Sequence, residues 1–339
     1  MGEAPSDRRG LSLSRRTLAA KLVERTKVRY NAVLIAFRGT SKSFGAYTAV
    51  SGLNFEVPPG AFVSLVGPSG CGKSTILNLA AGLQTPTTGE VRIDGQTLTG
   101  LNARATYMFQ QDALLPWKTL VENVELAPVL QGRAARAEAL EWLRRLGLDG
   151  FAGYYPEQVS GGMKKRVAMA QNWIAGRDIL LMDEPFSALD IHTRQQMEDE
   201  LLTLWTGNRR TVLFVTHDLE EAIALSDLVL VLSAGPASTV VAQYNVDLAR
   251  PREVKDLRLD PHFNELYRAI WHDLRPQVNK GASRDGLQPV PPTPQSSTPQ
   301  SPTLQSPTPQ GPTPQSPTPQ GSTPQGPTPH SPTHKGQDP

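Results

Sequence analysis

The stretch GPSGCGKST at 67–75 follows directly on the apolar run AFVSLV and opens the helix-like segment KSTILNLAAG. A strand that runs into a glycine-rich turn and then a helix leaves few folds open, because it fixes a β–loop–α unit at the carboxyl edge of a sheet. Gly67, Gly70 and Gly72 let the backbone curl so that successive N–H groups point inward at an anion. Pro68, Ser69 and Cys71 complete the loop, and the helix that follows adds its positive dipole end. Lys73 is placed to reach the β- and γ-phosphates of a nucleotide, Ser74 to complete a Mg²⁺ shell, and Thr75 to bond a phosphate nearer the nucleoside. The plainer reading is an ordinary glycine-rich turn. At average residue frequencies this pattern arises on the order of once per hundred chains this long, and correct strand and helix flanks reduce that further.

About a hundred residues downstream, ILLMDEP at 179–185 sets four apolar residues before paired carboxylates. A buried strand would deliver Asp183 to its carboxyl end, where ligands of open α/β sheets sit, to hold Mg²⁺ through water. Glu184, one residue on, is expected on the other side of the pleat, in reach of an attacking water as general base or water-orienting group. Taken alone, Asp-Glu-Pro reads equally well as solvated charge at a strand end. Paired with the phosphate loop, the functional reading wins.

The rest of the chain supplies a frame for these two motifs. VLIAF (33–37), LNFEV (53–57), AFVSLVG (61–67), VRI (91–93) and ATYMF (105–109) read as strands between Gly, Pro and Asn punctuation. KSTILNLAAG reads as a helix ending at Gly82, and Ala134 to Leu146 as a helix stopped by Gly147. ILLM (179–182) and VLFVT (212–216) read as strands buried on both faces, each followed by a helical pattern. Alternation of this kind implies an α/β domain with a largely parallel sheet.

Composition bounds the remainder. Of the 30 prolines, 17 lie after Gly281, most of them in an array of the type TPQSP and TPQGP, which has too little apolar surface to offset its ordering entropy. It is expected to be a disordered, partly polyproline-like spacer rather than a proline-motif ligand. Roughly 240 residues are left for packing, enough for one sizeable domain. Net charge is +2 and the pI about 8.6, too mild for a nucleic-acid binder. The single cysteine, Cys71, fits a reducing compartment. Arg8, Arg9, Arg15 and Arg16 are followed by no apolar stretch of signal-peptide type, and no apolar run approaches the roughly 20 residues of a membrane span. The expectation is a soluble chain, any membrane role coming through a partner. Residues 1–31 read as a basic, disordered arm or as a start placed upstream of the true one. A surface-binding basic helix is the weaker alternative, its apolar face being thin.

VSGGM at 159–163 lies between the phosphate loop and ILLMDEP, and it resembles the signature motif of ATP-binding-cassette proteins. The resemblance covers about residues 33–245, and further motifs fall in order. Phe44 in KSFGAY matches the aromatic that stacks on adenine, Gln110 in YMFQQD the Q-loop glutamine, SALD (187–190) the D-loop, and His217 in VTHDLEEA the switch histidine. The resemblance implies a P-loop NTPase fold of ABC type, with a RecA-like core, an antiparallel β-subdomain and a helical signature subdomain. It implies an ATPase domain over 32–245, a short helical extension over 246–280 and the tail over 281–339. It also implies ATP and Mg²⁺ as cofactors, with Gln110 joining Ser74 and Asp183 at the metal, and Lys73, Glu184 and His217 as the remaining catalytic groups.

The added motifs carry readable physics. Ser160, Gly161 and Gly162 precede the helical run MKKRVAMAQNWIA, so their N–H groups form a second anion site at a helix start. One chain needs a single phosphate cradle. In the family two copies join head-to-tail, each nucleotide held between one phosphate loop and the partner's signature, with Asp190 linking the sites. His217 would meet the γ-phosphate from its strand end, against the usual reading of a lone histidine as a satisfied core residue. Three departures stand out: Val159 for the commoner leucine, Met163 for glutamine, and AQNW at 170–173. Lys164, Lys165 and Arg166 are expected to be solvated helix charges.

DALLPWKTLVENV at 112–124 is similar to the nitrate, sulfonate and taurine importer ATPases. Leu114, Leu115, Pro116 and Trp117 form an apolar knot suited to receive a permease helix, although helical-subdomain core explains part of it. The importer reading implies a second copy of the chain, an integral membrane permease and, indirectly, a solute-binding protein, with no nucleic acid, at the cytoplasmic face of the inner membrane. A non-transport cassette acting on DNA or ribosomes is the main alternative. It is opposed by the single cassette, the absence of coiled-coil heptads and the lone cysteine. A nucleotide-binding regulator without turnover is opposed by the presence of both Glu184 and His217.

Overall fold

The computed structural model describes residues 34–285, apart from positions 188, 253 and 258. The basic arm expected over 1–31, Ala188 of SALD and the tail beyond 285 lie outside the described residues. Six strands form the central sheet: β3 (Phe62–Val66), β6 (Ala105–Met108), β7 (Ile179–Asp183), β8 (Thr211–Val215), β9 (Leu228–Leu232) and β10 (Val240–Asn245). Their order is β10-β9-β3-β8-β7-β6. Every neighbouring pair is parallel except β10 against β9. Strands β3, β7, β8 and β9 are buried along their whole length, which is why they read as continuous apolar runs rather than alternating ones.

Alternate side chains of the sheet feed two cores. Phe62, Leu180, Met182, Phe214 and Val229 face the larger one. It includes side chains of α4 (Arg136–Arg145), α5 (Gly161–Ile174), α6 (Ile191–Gly207) and α7 (Leu219–Leu225). Val63, Leu65, Leu181, Leu213 and Leu230 face the second, with Ile76, Leu77 and Leu79 of α1 (Lys73–Ala80). That second core is closed by an antiparallel sheet of β1 (Ile35–Phe44), β2 (Tyr47–Val57), β4 (Thr88–Ile93) and β5 (Gln96–Thr97), in the order β2-β1-β4-β5.

The hairpin β1–β2 is longer than the apolar runs VLIAF and LNFEV that announce it. Its polar outer stretch, with Gly39 and Gly52 at positive φ and register shifts between Phe37 and Ser43, stays paired as a bulged, half-exposed ribbon. The short helices α2 (Leu120–Val124) and α3 (Leu126–Leu130) join α4 and α5 in a helical layer. Helix α4 gives way to Gly147 at φ 70, the left-handed exit expected there. LVLVL at 228–232, unassigned from sequence, forms β9.

After β10 come α8 (Val254–Leu257) and α9 (Pro261–Asp285). Helix α9 continues through Pro276 to Asp285, past the boundary set at 281 from composition. Ala282 to Asp285 are ordinary helix formers, and the first residues of the tail follow the helix rather than the proline array. Helix α9 is anchored where Ala234 N donates to Gln277 Oε1 at 3.2 Å.

Trp205 of α6 shows what the larger core rests on. It is fully buried, meets Phe62 edge-on at 5.8 Å and donates from Nε1 to Arg210 O at 2.8 Å. The Arg250 guanidinium lies 4.4 Å from its ring centroid. Trp205→Ala removes this ring from a packed site and is expected to cost about 3–5 kcal/mol. Urea denaturation of the parent and variant checks this, and a midpoint that does not move would contradict the packing argument.

Candidate functional site

The carboxyl ends of β3, β6, β7 and β8 lie side by side, and each hands its next residues to the site. From β3 the chain enters 67–72, with Gly70 at φ 71 and Gly72 at φ 89, before α1 begins at Lys73. Glycine is required at Gly72 on two counts, since its φ is left-handed and a Cβ there would stand 2.7 Å from Val50 Cγ1. A Cβ on Gly67 would meet Cys71 Sγ at 2.8 Å and Leu232 Cβ at 3.0 Å. The loop is therefore pressed between β2, β9 and its own cysteine. Cys71 is fully buried, and burial pushes its thiol above the ordinary value, so it fills space rather than reacts. Pro68 is buried while Ser69 and Gly70 face outward.

Lys73 is almost wholly buried. Its Nζ donates to Gly67 O at 2.9 Å and Pro68 O at 3.1 Å, tying the helix start to the loop's first turn. Ser74 is exposed and Thr75 half-buried. The Ser74 hydroxyl hydrogen-bonds Asp183, the last residue of β7. Tyr107 OH donates to Asp183 Oδ2 at 3.3 Å and its ring stacks on Phe109 at 4.2 Å. Burial raises the Asp183 carboxyl above its ordinary value, and the Ser74 and Tyr107 hydrogen bonds offset this only in part. A buried carboxylate next to a hydroxyl is a set of hard oxygen donors, the kind Mg²⁺ takes from protein when phosphates supply the rest.

Glu184 does not reach the site through the pleat. It has left β7 with φ 43, a left-handed conformation that costs a non-glycine residue about 1–2 kcal/mol. Its N–H donates to Val215 O of β8 at 2.9 Å. The turn brings the side chain to the same edge as Asp183 rather than to the opposite face. There Glu184 Oε2 accepts from Gln110 Nε2 at 3.3 Å and lies 3.3 Å from His217 Nδ1. Its Oε1 is 3.9 Å from Lys73 Nζ. Lys73, Gln110 and His217, each from the segment that follows a different strand, thus converge on the Glu184 carboxylate.

A second group gathers elsewhere on the chain. Ser160 caps α5, its Oγ accepting from Met163 N at 3.3 Å, and the N–H groups of Gly161 and Gly162 stand in the first turn without intrahelical acceptors. Asp190 caps α6 by accepting from Thr193 N at 3.1 Å. A Cβ on Gly162 would stand 2.8 Å from Thr193 Cγ2, so this glycine is needed for packing of α5 on α6 as well as for an open helix start. Among the described residues, no hydrogen bond or ion pair joins Ser160, Gly161, Gly162 or Asp190 to Lys73, Asp183, Glu184 or His217. Phe44 stands half-exposed at the tip of β1, on the hairpin whose strand β2 packs Val50 against Gly72.

Two residues went unread in the sequence. Tyr107 gave no signal beyond its place next to the glutamine loop. Lys165 corrects an expectation. It is buried, with Nζ donating to Gln110 O at 2.6 Å and standing 2.9 Å from Asp112 Oδ1. Arg166 is mostly enclosed too, bonded to Leu146 O and Gln196. Lys165 and Arg166 are therefore not solvated helix charges, because α5 turns them toward the loop after β6 and toward Leu146 and α6.

Behind His217, Thr216 Oγ1 donates to Glu221 at 2.6 Å, and Glu221 in α7 is pushed up to about 7 by burial. Folding then favours the protonated acid. Between the unfolded value of 4.5 and about 7, the folded chain holds more protons than the unfolded one, so stability falls as pH rises. Glu221→Gln keeps an acceptor for Thr216 and removes the charge. Its stability relative to the parent is expected to improve by on the order of 2 kcal/mol between pH 5 and pH 8. Denaturation midpoints at the two pH values measure this, and a constant difference would refute it.

Residues 50–187 match the family model described as ABC transporter. The chain is 42% identical over 240 residues to the taurine import ATP-binding protein TauB of Rhizobium johnstonii, a match covering 67% of this chain and 91% of that protein. It is 41% identical over 196 residues to the aliphatic sulfonates import ATP-binding protein SsuB of Bacillus cereus, covering 58% of this chain and 78% of that one. Among solved structures it is similar to the dimeric, post-hydrolysis state of the ATP-binding cassette MJ0796 bound to ADP and Pi. That likeness has a TM-score of 0.57 and 32% identity, over 64% of this chain and 100% of the other.

Proposed function

The chain belongs to the ABC transporter family, and from that premise we propose that it is the ATP-hydrolysing subunit of an importer, two copies working against a separate membrane permease. The observation that carries this reading is the Glu184 carboxylate, with Gln110 Nε2 and His217 Nδ1 each 3.3 Å away and Lys73 Nζ at 3.9 Å. A carboxylate so placed can take the proton of an attacking water while the groups around it hold the phosphoryl end of ATP.

Each part of the site has a role in this proposal. The N–H groups of 67–72 and the start of α1 cradle the β-phosphate. Lys73 leaves its loop carbonyls to pair with the β- and γ-phosphates, and Thr75 takes an oxygen nearer the nucleoside. Phe44 offers its exposed ring to the adenine. His217 contacts the γ-phosphate, and Gln110 holds the water-facing side of Glu184. Ser74, Asp183 and Gln110 would hold Mg²⁺, which neutralises charge developing on the transferred phosphoryl group.

A second copy is part of the proposal because the helix start at Ser160, Gly161 and Gly162 is bonded to no residue of the chain's own Lys73 cluster. Offered to the partner's γ-phosphate, these N–H groups would close a nucleotide between two chains, with Asp190 at the same face. The dimeric form of the MJ0796 cassette supports this arrangement.

The permease is proposed to dock on the helical layer. Leu114 packs into the core from there while Trp117 stays 71% exposed, an apolar ring left for a partner. Among the described residues no helix is long and apolar enough to cross a membrane, so this reading places the chain peripherally, on the cytoplasmic face. The relatives named for taurine and aliphatic sulfonates favour a small sulfonate or similar oxyanion as solute, delivered by a binding protein on the far side.

Two experiments bear on this. Glu184→Gln should lower ATPase kcat by at least about 10²-fold while Mg-ATP still brings two copies together in light scattering. Turnover at the parent rate would sink the assignment. Detergent-solubilised membranes passed over the immobilised chain should leave a permease bound, less so with Trp117→Ala. Retention of ribosomes or DNA instead would overturn the importer reading.

A further inference from the structure

The geometry points to Lys165 as a positioning residue that sets the Gln110 loop, and through it the amide that faces Glu184. Lys165 lies in the second turn of α5, counted from Ser160, and its side chain is 5% exposed. An ammonium held this far from water is costly unless its donors are used. One donates to the main-chain carbonyl of Gln110 at 2.6 Å, and the charge is balanced by Asp112 Oδ1 at 2.9 Å. Both partners sit in the loop that leaves β6. The side chain of the same Gln110 reaches Glu184 Oε2 at 3.3 Å. A single chain of contacts therefore runs from α5 through Lys165, the Gln110 backbone and the Gln110 amide to the carboxylate at the centre of the site.

Alternatives for Lys165 are weak. Leucine or methionine would fill the same space without a charge to neutralise. Its neighbours use their length differently, since Arg166 bonds Leu146 O and Gln196 on the other side of the helix. Building on the two-copy reading above, the link has a further effect. The start of α5 faces the partner's nucleotide while Gln110 faces the chain's own. Lys165 makes these two pieces move together, so occupancy of one site is felt at the other.

The test uses the full chain. Lys165→Met is expected to lower kcat between about 10- and 100-fold with KM for Mg-ATP within about twofold, because the phosphate loop is untouched. Lys165→Arg, which keeps the donors, should recover most of the loss. Lys165→Met with Asp112→Leu leaves no charge buried alone, so it should melt near the parent and still show the low kcat. In a Gln110→Ala background, Lys165→Met should add no further loss. Hydrogen exchange supplies a readout independent of turnover, with amides 110–112 expected to exchange at least about tenfold faster in the well-folded double variant. Parent-like kcat, or losses that multiply in the Gln110→Ala background, would overturn the proposal. So would unchanged exchange across 110–112. A parent without ATPase activity would instead count against the reading under Proposed function, and the exchange result would still decide the role of Lys165.

Discussion

The left-handed turn at Glu184 is what the site depends on. Strand β7 ends at Asp183, and an extended continuation would have sent the next side chain to the other side of the sheet. With φ at 43 and its N–H held by Val215 O of β8, the chain instead places two consecutive carboxylates at one edge. Asp183 turns to Ser74 and Tyr107 while Glu184 turns to Gln110, His217 and Lys73. The strain is sustained because β7 is paired on both sides along its length, by β6 and β8, so the turn cannot relax without unzipping a central strand.

Burial then does different work on neighbouring acids. Asp183 is nearly enclosed and its carboxyl is raised, an environment in which a divalent cation reverses the local preference for the neutral acid. Glu221, one turn behind His217, is raised further and has Thr216 as its hydrogen-bond donor. It belongs to the scaffold that holds the β8–α7 turn, where Asp218 caps α7 by accepting from Glu220 N at 2.8 Å and Glu221 N at 3.3 Å. The site is thus a rim of strand ends braced from behind by capped helices.

Much of this was legible in the sequence because the chemistry was local. Glycines at fixed spacing between an apolar run and a helix announce the strand, turn and helix around 67–75, and short apolar runs such as ILLM and VLFVT read as strands covered on both faces, which they are. Ser160 and His217 were singled out by resemblance alone. What escaped depended on residues far apart in sequence or on side-chain direction. The outer half of the β1–β2 hairpin is polar and bulged, so nothing apolar marks it. Tyr107 acquires its partner only when β6 pairs with β7. Lys165 sits in a run of three basic residues that looks like solvent-facing charge, and its burial follows from the angle at which α5 meets the loop after β6. The pleat argument put Glu184 across the sheet from Asp183, whereas its left-handed turn brings both to one edge, since backbone handedness at a strand end is not encoded by a hydropathy pattern.

Helix α9 carries one more consequence. Its last turns come back to the loop 67–72, and a Cβ on Gly281 would stand 3.2 Å from Pro68 Cβ. The lack of a side chain at that point gives buried Pro68 its room, although position 281 belongs to no recognised motif and sits where the composition already shifts toward the proline array. A side chain there would have to be met by a small shift of the loop, far from it in sequence. Position 281, far along the chain, thus touches the contour of the 67–72 loop.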